Sequence, residues 1–175
     1  MVTCSFAKSF TCLTAGGRNL SGLCCHVRMT SIRTARFTEL DTITLYALLR
    51  LRVDVFVVEQ KAAYPELDGR DLEPATLHIW TEADGGVTGY LRILSDVDDV
   101  ARIGRVCTDR SARGTGVGGR LMEAAMDAIG GRESVLDAQT YAKDFYGRFG
   151  YEPDGAEYFD EDGIPHVPMR RAAVH

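Results

Sequence analysis

The chain has 175 residues, 45% hydrophobic and 26% charged, which suits one domain with a sizeable core. Its 20 Lys and Arg against 25 Asp and Glu leave a formal charge of −5, which argues against a general nucleic-acid-binding face. No apolar run approaches the length of a membrane span, so neither a membrane nor nucleic acid is an expected partner.

Residues 1–28 differ from the rest. They carry Lys8, Arg18 and Arg28 but no acid, show no hydrophobic period and include Gly16-Gly17. Such a segment cannot bury enough apolar surface to order itself. It is read as a disordered tail, or as sequence upstream of a true start at Met29, with 29–175 as the folded domain. A targeting leader would need a longer apolar core before its cleavage site. Four of the five cysteines, Cys4, Cys12, Cys24 and Cys25, fall here. An odd, crowded set is no disulfide framework, and Cys24-Cys25-His26 lacks the paired spacings of a zinc site. A reduced, cytoplasmic protein without bound metal is expected.

In the folded part, residues 34–40 read as a first strand and Asp41 as an N-cap. From 42 to 58, Leu45, Leu48, Leu49, Arg52 (by its stem) and Phe56 recur at helical spacing. Tyr64-Pro65 and Asp68-Gly69 mark a loop. Residues 75–80 and 87–94 read as strands around a turn at Asp84-Gly85-Gly86, and Asp96-Val97-Asp98-Asp99 turns into a third strand, 101–107. Val117, Leu121, Met122, Ala125, Ala128 and Ile129 form a helical stripe ended by Gly130-Gly131. A short strand at 134–138 follows. Ala142, Phe145, Tyr146 and Phe149 then lie on one helical face, with Gly150 in the C′ position. Residues 155–170 read as a strand pair around Asp162-Gly163. The mixed order predicts a mixed sheet with helices on its faces.

Between the third strand and the long helix stands Arg113-Gly114-Thr115-Gly116-Val117-Gly118-Gly119. Small residues before a helix let backbone N–H groups converge, and the helix dipole favours an anion there. The same loop matches a dinucleotide fingerprint: Gly114, Gly116 and Gly119 have G-x-G-x-x-G spacing, and Asp137 ends the next strand where a ribose acid belongs. Against that reading stand the polar spacer 108–112 and the short chain that follows. A P-loop is excluded, because no Lys-Ser/Thr pair follows the glycines.

The loop resembles the R/Q-x-x-G-x-G/A motif of the GNAT superfamily of acetyl-CoA-dependent N-acetyltransferases, through Arg113, Gly116 and Gly118. Ile103-Gly104-Arg105-Val106-Cys107-Thr108 resembles that family's central strand. The run from Ala142 through Tyr146 to Phe149-Gly150-Tyr151 resembles its tyrosine-bearing second motif. Val55-Phe56-Val57-Val58-Glu59-Gln60, Asp68-Gly69-Arg70-Asp71-Leu72 and Asp162-Gly163-Ile164-Pro165-His166 resemble the ElaA-type branch. The resemblance covers about residues 34–169.

It implies an α/β (α+β) fold: a single GNAT-like domain whose mixed twisted sheet has helices on both faces and splayed central strands forming the cofactor cleft. It implies acetyl-CoA as cosubstrate, with no metal. Backbone groups near Val106, Cys107 and Thr108 would pair with pantetheine amides. Arg113, Gly114, Thr115, Gly116, Val117, Gly118 and Gly119 would hold the pyrophosphate. Tyr146 would be the general acid for the leaving thiolate. Glu59 and His166 are candidates to relieve the acceptor amine of its proton. His78 reads as structural, though the ElaA-like pattern places it near the acceptor pocket. Asp68, Asp71 and Glu73 read as a solvated loop, or as attraction for a cationic acceptor. Cys107 reads as buried packing rather than a nucleophile. The acceptor would be a small-molecule or peptide amine and the protein a monomer or homodimer. A dinucleotide-binding protein and a non-catalytic acyl-CoA sensor remain the alternative readings.

Overall fold

The computed structural model describes residues 30–160 and 163–174. The expectations for residues 1–28, with their four cysteines and His26, and for Asp162 lie outside the described residues.

The chain opens with β1 (Ser31–Arg36), a 3-10 turn at Phe37–Glu39, and α1 (Thr42–Arg52). Asp41 caps α1 as expected: its Oδ1 accepts the N–H groups of Ile43 and Thr44, each at 2.9 Å, an interaction worth about 1 kcal/mol. The first strand begins and ends earlier than read. Arg36 N–H donates to Glu39 Oε2 at 2.7 Å, and that local contact coils 37–39 out of the sheet. Beyond Arg52 the helix continues, but Val53–Glu59 is wound as a π-helix. That change of period buries Val55 and carries Glu59 and Gln60 toward the middle of the sheet.

Next come β2 (Leu77–Ala83), β3 (Gly86–Ser95) and β4 (Ala101–Thr108), the expected antiparallel meander. Its first hairpin turns on Asp84 and Gly85, both left-handed with φ of 52° and 78°, the geometry that matches strand twist. Then follow α2 (Val117–Ile129), β5 (Ser134–Gln139), α3 (Lys143–Gly147), β6 (Glu152–Pro153), β7 (Tyr158–Phe159) and β8 (Pro165–Arg171). α3 is shorter than its apolar stripe suggested, because Thr140–Ala142 form a 3-10 turn ahead of it. The terminal strand pair is β7 with β8, and the two-residue β6 was not anticipated.

Together these make an eight-stranded mixed sheet in the order β1-β2-β3-β4-β5-β8-β6, with β7 also on β8. Strand alternation divides the core. Ile79, Leu91 and Ile103 pack under α2, with its Val117, Leu121, Met122, Ala125 and Ile129. Trp80, Tyr90 and Cys107 pack under α1, with its Leu48 and Leu51. Helices therefore cover both faces. Ala128, read as part of the α2 stripe, is exposed.

Gly89 of β3 fixes how closely α2 approaches. A Cβ there would lie 2.6 Å from Val117 Cγ1 and 2.9 Å from Leu121 Cδ1. Gly89→Ala is expected to push the first turn of α2 off the sheet and cost about 1–3 kcal/mol, as overpacking does. Urea denaturation would measure this, and an unchanged midpoint would show that α2 has slack.

Candidate active site

β4 and β5 run parallel, yet they pair only at Ala101↔Ser134 and Arg102↔Val135. Beyond that point β4 keeps β3 on one side and leaves its other edge open. A bulge accompanies the divergence: Tyr90 faces Cys107 while Arg92 faces Gly104, so Arg105 and Val106 together oppose Leu91. The opening forms a cleft of about 630 Å³, lined on the sheet side by Ile103 to Thr108 and by Leu136, Asp137 and Gln139, and elsewhere by Glu59, Arg113, Tyr146 and His166. The expected splay of the central strands is present.

Of the glycine loop, Arg113 lines this cleft, and the glycines lead from it into α2. Gly114 and Gly116 have φ of 74° and 84°. Arg120 N–H is bonded to Gly116 O at 3.1 Å, so the amides of Val117, Gly118 and Gly119 precede the first helical bond and stay open at the N-terminus of α2. No atom lies within 4 Å of a Cβ built on Gly114, Gly116 or Gly119. The open amides and that free space fit a pyrophosphate. Thr115 differs from expectation: its N–H and hydroxyl both turn inward to Ala112 O, at 3.4 and 2.6 Å. Val117 is buried in the core and can offer only its backbone.

Arg113 is engaged in a bidentate ion pair with Glu59, at 2.5 and 2.8 Å. Its Nη2 also bonds Thr108 O at 3.3 Å. The Arg113 hydrogen bond holds the Glu59 carboxyl below its ordinary range, which makes Glu59 a poor base while the pair lasts. Beside this pair, Gln60 and Gln139 exchange amide hydrogen bonds at 3.3 and 3.4 Å across the cleft.

Tyr146 is buried, and its hydroxyl has no hydrogen-bond partner among the described residues. Its ring meets Phe145 edge-on at 5.0 Å and Tyr151 at 6.5 Å. Burial pushes its phenol far above the ordinary value, so it keeps its proton throughout the working range. His166 is stacked on Tyr158 with centroids 5.9 Å apart. Its Nδ1 is 2.9 Å from Ile164 O. At that carbonyl Nδ1 is the donor, and Nε2 is the other ring nitrogen.

Under α1 lies a charged network that the sequence reading missed. Arg52, read as a helix stem, is 1% exposed. It donates to Glu66 Oε1 at 2.5 Å and Asp71 Oδ1 at 2.8 Å, with its guanidinium over the Tyr90 ring. Arg92 donates to Asp71 at 2.9 Å and pairs with Asp68. Arg105 pairs with Glu66 and Asp68, and Arg70 with Glu73 and Asp96. Of the three acids read as a solvated loop, Asp71 is buried while Asp68 and Glu73 keep part of their exposure, and each is paired with an arginine. His78 bonds Tyr90 Oη at 2.7 Å and lies outside the cleft lining. Cys107 is buried, and burial pushes its thiol far above the reactive range, consistent with packing.

For Asp68, burial alone would raise the pKa, but Arg92 chiefly, then the Arg70 amide and Arg105, hold it at about 2. The folded value lies below the unfolded one of about 3.9. The resulting stability is present above about pH 4 and is lost as pH falls through about 2. Asp68→Asn is expected to flatten the fall in melting temperature across that window. An acid limb identical to wild type would assign acid unfolding to other carboxylates.

Asp137, the acid of the dinucleotide reading, does not end its strand. β5 runs on to Gln139, and Arg102 Nη1 donates to Asp137 at 3.0 Å.

Comparison with known proteins agrees with this geometry. The family profile described as Acetyltransferase (GNAT) domain matches residues 49–173. A UPF0039 protein of Mycobacterium tuberculosis is 49% identical over 145 residues, 81% of this chain and 92% of that protein. Escherichia coli ElaA is 38% identical over 143 residues, 78% and 93% of the two chains. The crystal structure of ElaA superposes with a TM-score of 0.77 at 37% identity, covering 82% of this chain and 99% of that one. An acyl-CoA N-acyltransferase from Pseudomonas aeruginosa gives 0.77 at 40%, with the same coverage. An aminoglycoside 6'-N-acetyltransferase complexed with coenzyme A, 12% identical, shares the fold at 0.63 over 82% and 98% of the chains. Splayed sheet, glycine loop and relatives agree: the chain belongs to the GNAT acetyltransferase family, beside ElaA and the UPF0039 proteins.

Proposed function

We propose that the protein moves an acetyl group from acetyl-CoA to a primary amine of a small molecule or peptide by direct attack. The observation that carries this reading is the open β4 edge beside the open N-terminus of α2, an arrangement suited to an amide-bearing chain ending in a pyrophosphate. When bound, acetyl-CoA supplies a thioester that an unprotonated amine can attack.

The residues divide the remaining work. Backbone groups of Val106, Cys107 and Thr108 hold the pantetheine arm, and the amides of residues 116–119 hold the pyrophosphate. Arg113 exchanges Glu59 for phosphate oxygens. The Tyr146 phenol, kept protonated by its burial, gives its proton to the leaving sulfur. His166 Nε2 takes the proton of the amine, directly or through water. Glu59 is the second candidate for that step, once Arg113 has left it. Val55, Phe56, Leu136 and Ala142, which line the cleft, keep bulk water from the thioester.

Gly116→Val tests the binding half. The substitution strains a left-handed backbone and fills the space left open at the loop. Acetyl-CoA affinity is expected to fall by more than tenfold, or about 1.4 kcal/mol, while the protein stays folded. Calorimetric titration of the soluble variant reads the change. Unchanged affinity would remove the loop from the cofactor site.

A further inference from the structure

Lys61, Asp84, Asp98 and Asp99 have left-handed backbones in turns or connections, but Arg105, with φ 57°, does so inside a strand. A bulge residue of this kind is ordinarily glycine, because a Cβ makes the conformation costly. Something beyond β4 must hold it. Arg105 Nη2 donates to Glu66 O at 3.2 Å and Asp68 Oδ2 at 3.3 Å. Its Nε approaches Glu66 Oε2 as an ion pair without the alignment of a hydrogen bond. The guanidinium sits over the Tyr64 ring at 5.7 Å.

Glu66 is itself immobilised, with a side chain only 2% exposed. Arg52 Nε donates to its Oε1 at 2.5 Å, Tyr64 Oη to its Oε2 at 2.7 Å, and Arg52 Nη2 to its carbonyl at 3.2 Å. A loop carboxylate anchored in the α1-side core therefore grips the one strand residue whose backbone makes β4 bulge. The bulge begins at Arg105, beyond Ile103 and Gly104, which follow Arg102↔Val135, the last pairing of β4 with β5.

We propose that Glu66 is a positioning residue: through Arg105 it holds the β4 bulge, and so the open edge on which the pantetheine arm is laid. The inference rests on the acetyl-CoA reading above. It predicts a pattern that a purely structural ion pair, or a direct contact between Arg105 and ligand, would not produce. Arg105→Ala removes the grip and keeps the Cβ, so the bulge should relax. Arg105→Gly removes the grip and the strain together, so the bulge should survive.

Calorimetric titration with CoA and thermal melts without ligand test this on the full chain. Arg105→Ala is expected to weaken CoA binding by about tenfold and Arg105→Gly by less than about threefold. The glycine variant should also melt above the alanine variant. Glu66→Gln should weaken binding by about fivefold alone, and by less than about twofold when added to Arg105→Gly. Should Glu66→Gln fail to fold, Glu66→Asp, which shortens the reach to Arg105, takes its place and is expected to show the same pattern; a loss undiminished on Arg105→Gly would overturn the role of Glu66. Equal losses in both Arg105 variants, or none in either, would overturn the proposal while leaving the cofactor reading in place. A wild-type protein that does not bind CoA would refute the cofactor reading and the proposal with it; the order of the melts would still report whether the backbone at Arg105 is strained.

Discussion

Tyr146→Phe is expected to lower kcat by about 10²-fold or more, the usual scale for losing a general acid. The ring stays, so its edge contacts with Phe145 and Tyr151 stay. Melting temperature and the acetyl-CoA dissociation constant should then change little, because the lost interaction forms mainly in the transition state. Burial raises the phenol pKa, so wild-type kcat should show no falling limb from this group below about pH 10, the ordinary phenol value. Steady-state rates across pH for both proteins, with an acceptor found by screening amines for CoA release, make the comparison. Near-normal kcat in the variant would assign the proton to water. Joint loss of binding and stability would make Tyr146 a core aromatic and nothing more.

Arg52→Ala should have the largest effect on stability. It strips Glu66 and Asp71 of a guanidinium that is 1% exposed, and breaking a buried pair in this way costs about 3–5 kcal/mol. The urea midpoint should fall at unchanged slope. Glu59→Ala, at the exposed ends of the Arg113 pair, should leave the midpoint near the wild-type value, since solvent screens such pairs. Similar shifts in the two variants would mean that the network under α1 is no more desolvated than the surface.

These two predictions also mark what sequence reading could and could not reach. Tyr146, the glycine loop and the Asp41 cap were legible because each is a local pattern: residues on one helical turn, small residues before a helix, a cap one residue ahead of it. The strands of the meander were legible for the same reason, through alternation and turn residues. The buried network was not, because its long-range partners lie 14 to 39 residues apart and meet only once β3 and β4 are in register under α1. Asp68 and Asp71 therefore looked like solvated loop acids, and Arg52 counted only by its stem, as part of an apolar stripe. The bulge at Arg105 belongs to the register of two strands and has no signature in one of them. Gly89 carried no local signal either, since it is the arrival of Val117 and Leu121 that requires it. The π-helical winding after Arg52 changed the period within an otherwise correct helix, and that change brings Glu59 to Arg113.

The central claim is that this cleft takes acetyl-CoA. Incubating the protein with equal amounts of acetyl-CoA and NAD and weighing the complex by native mass spectrometry tests it most directly. The predicted result is a complex heavier by one acetyl-CoA or CoA, lost in Gly116→Val. A complex carrying NAD instead would contradict the account and return the glycine loop to the dinucleotide reading.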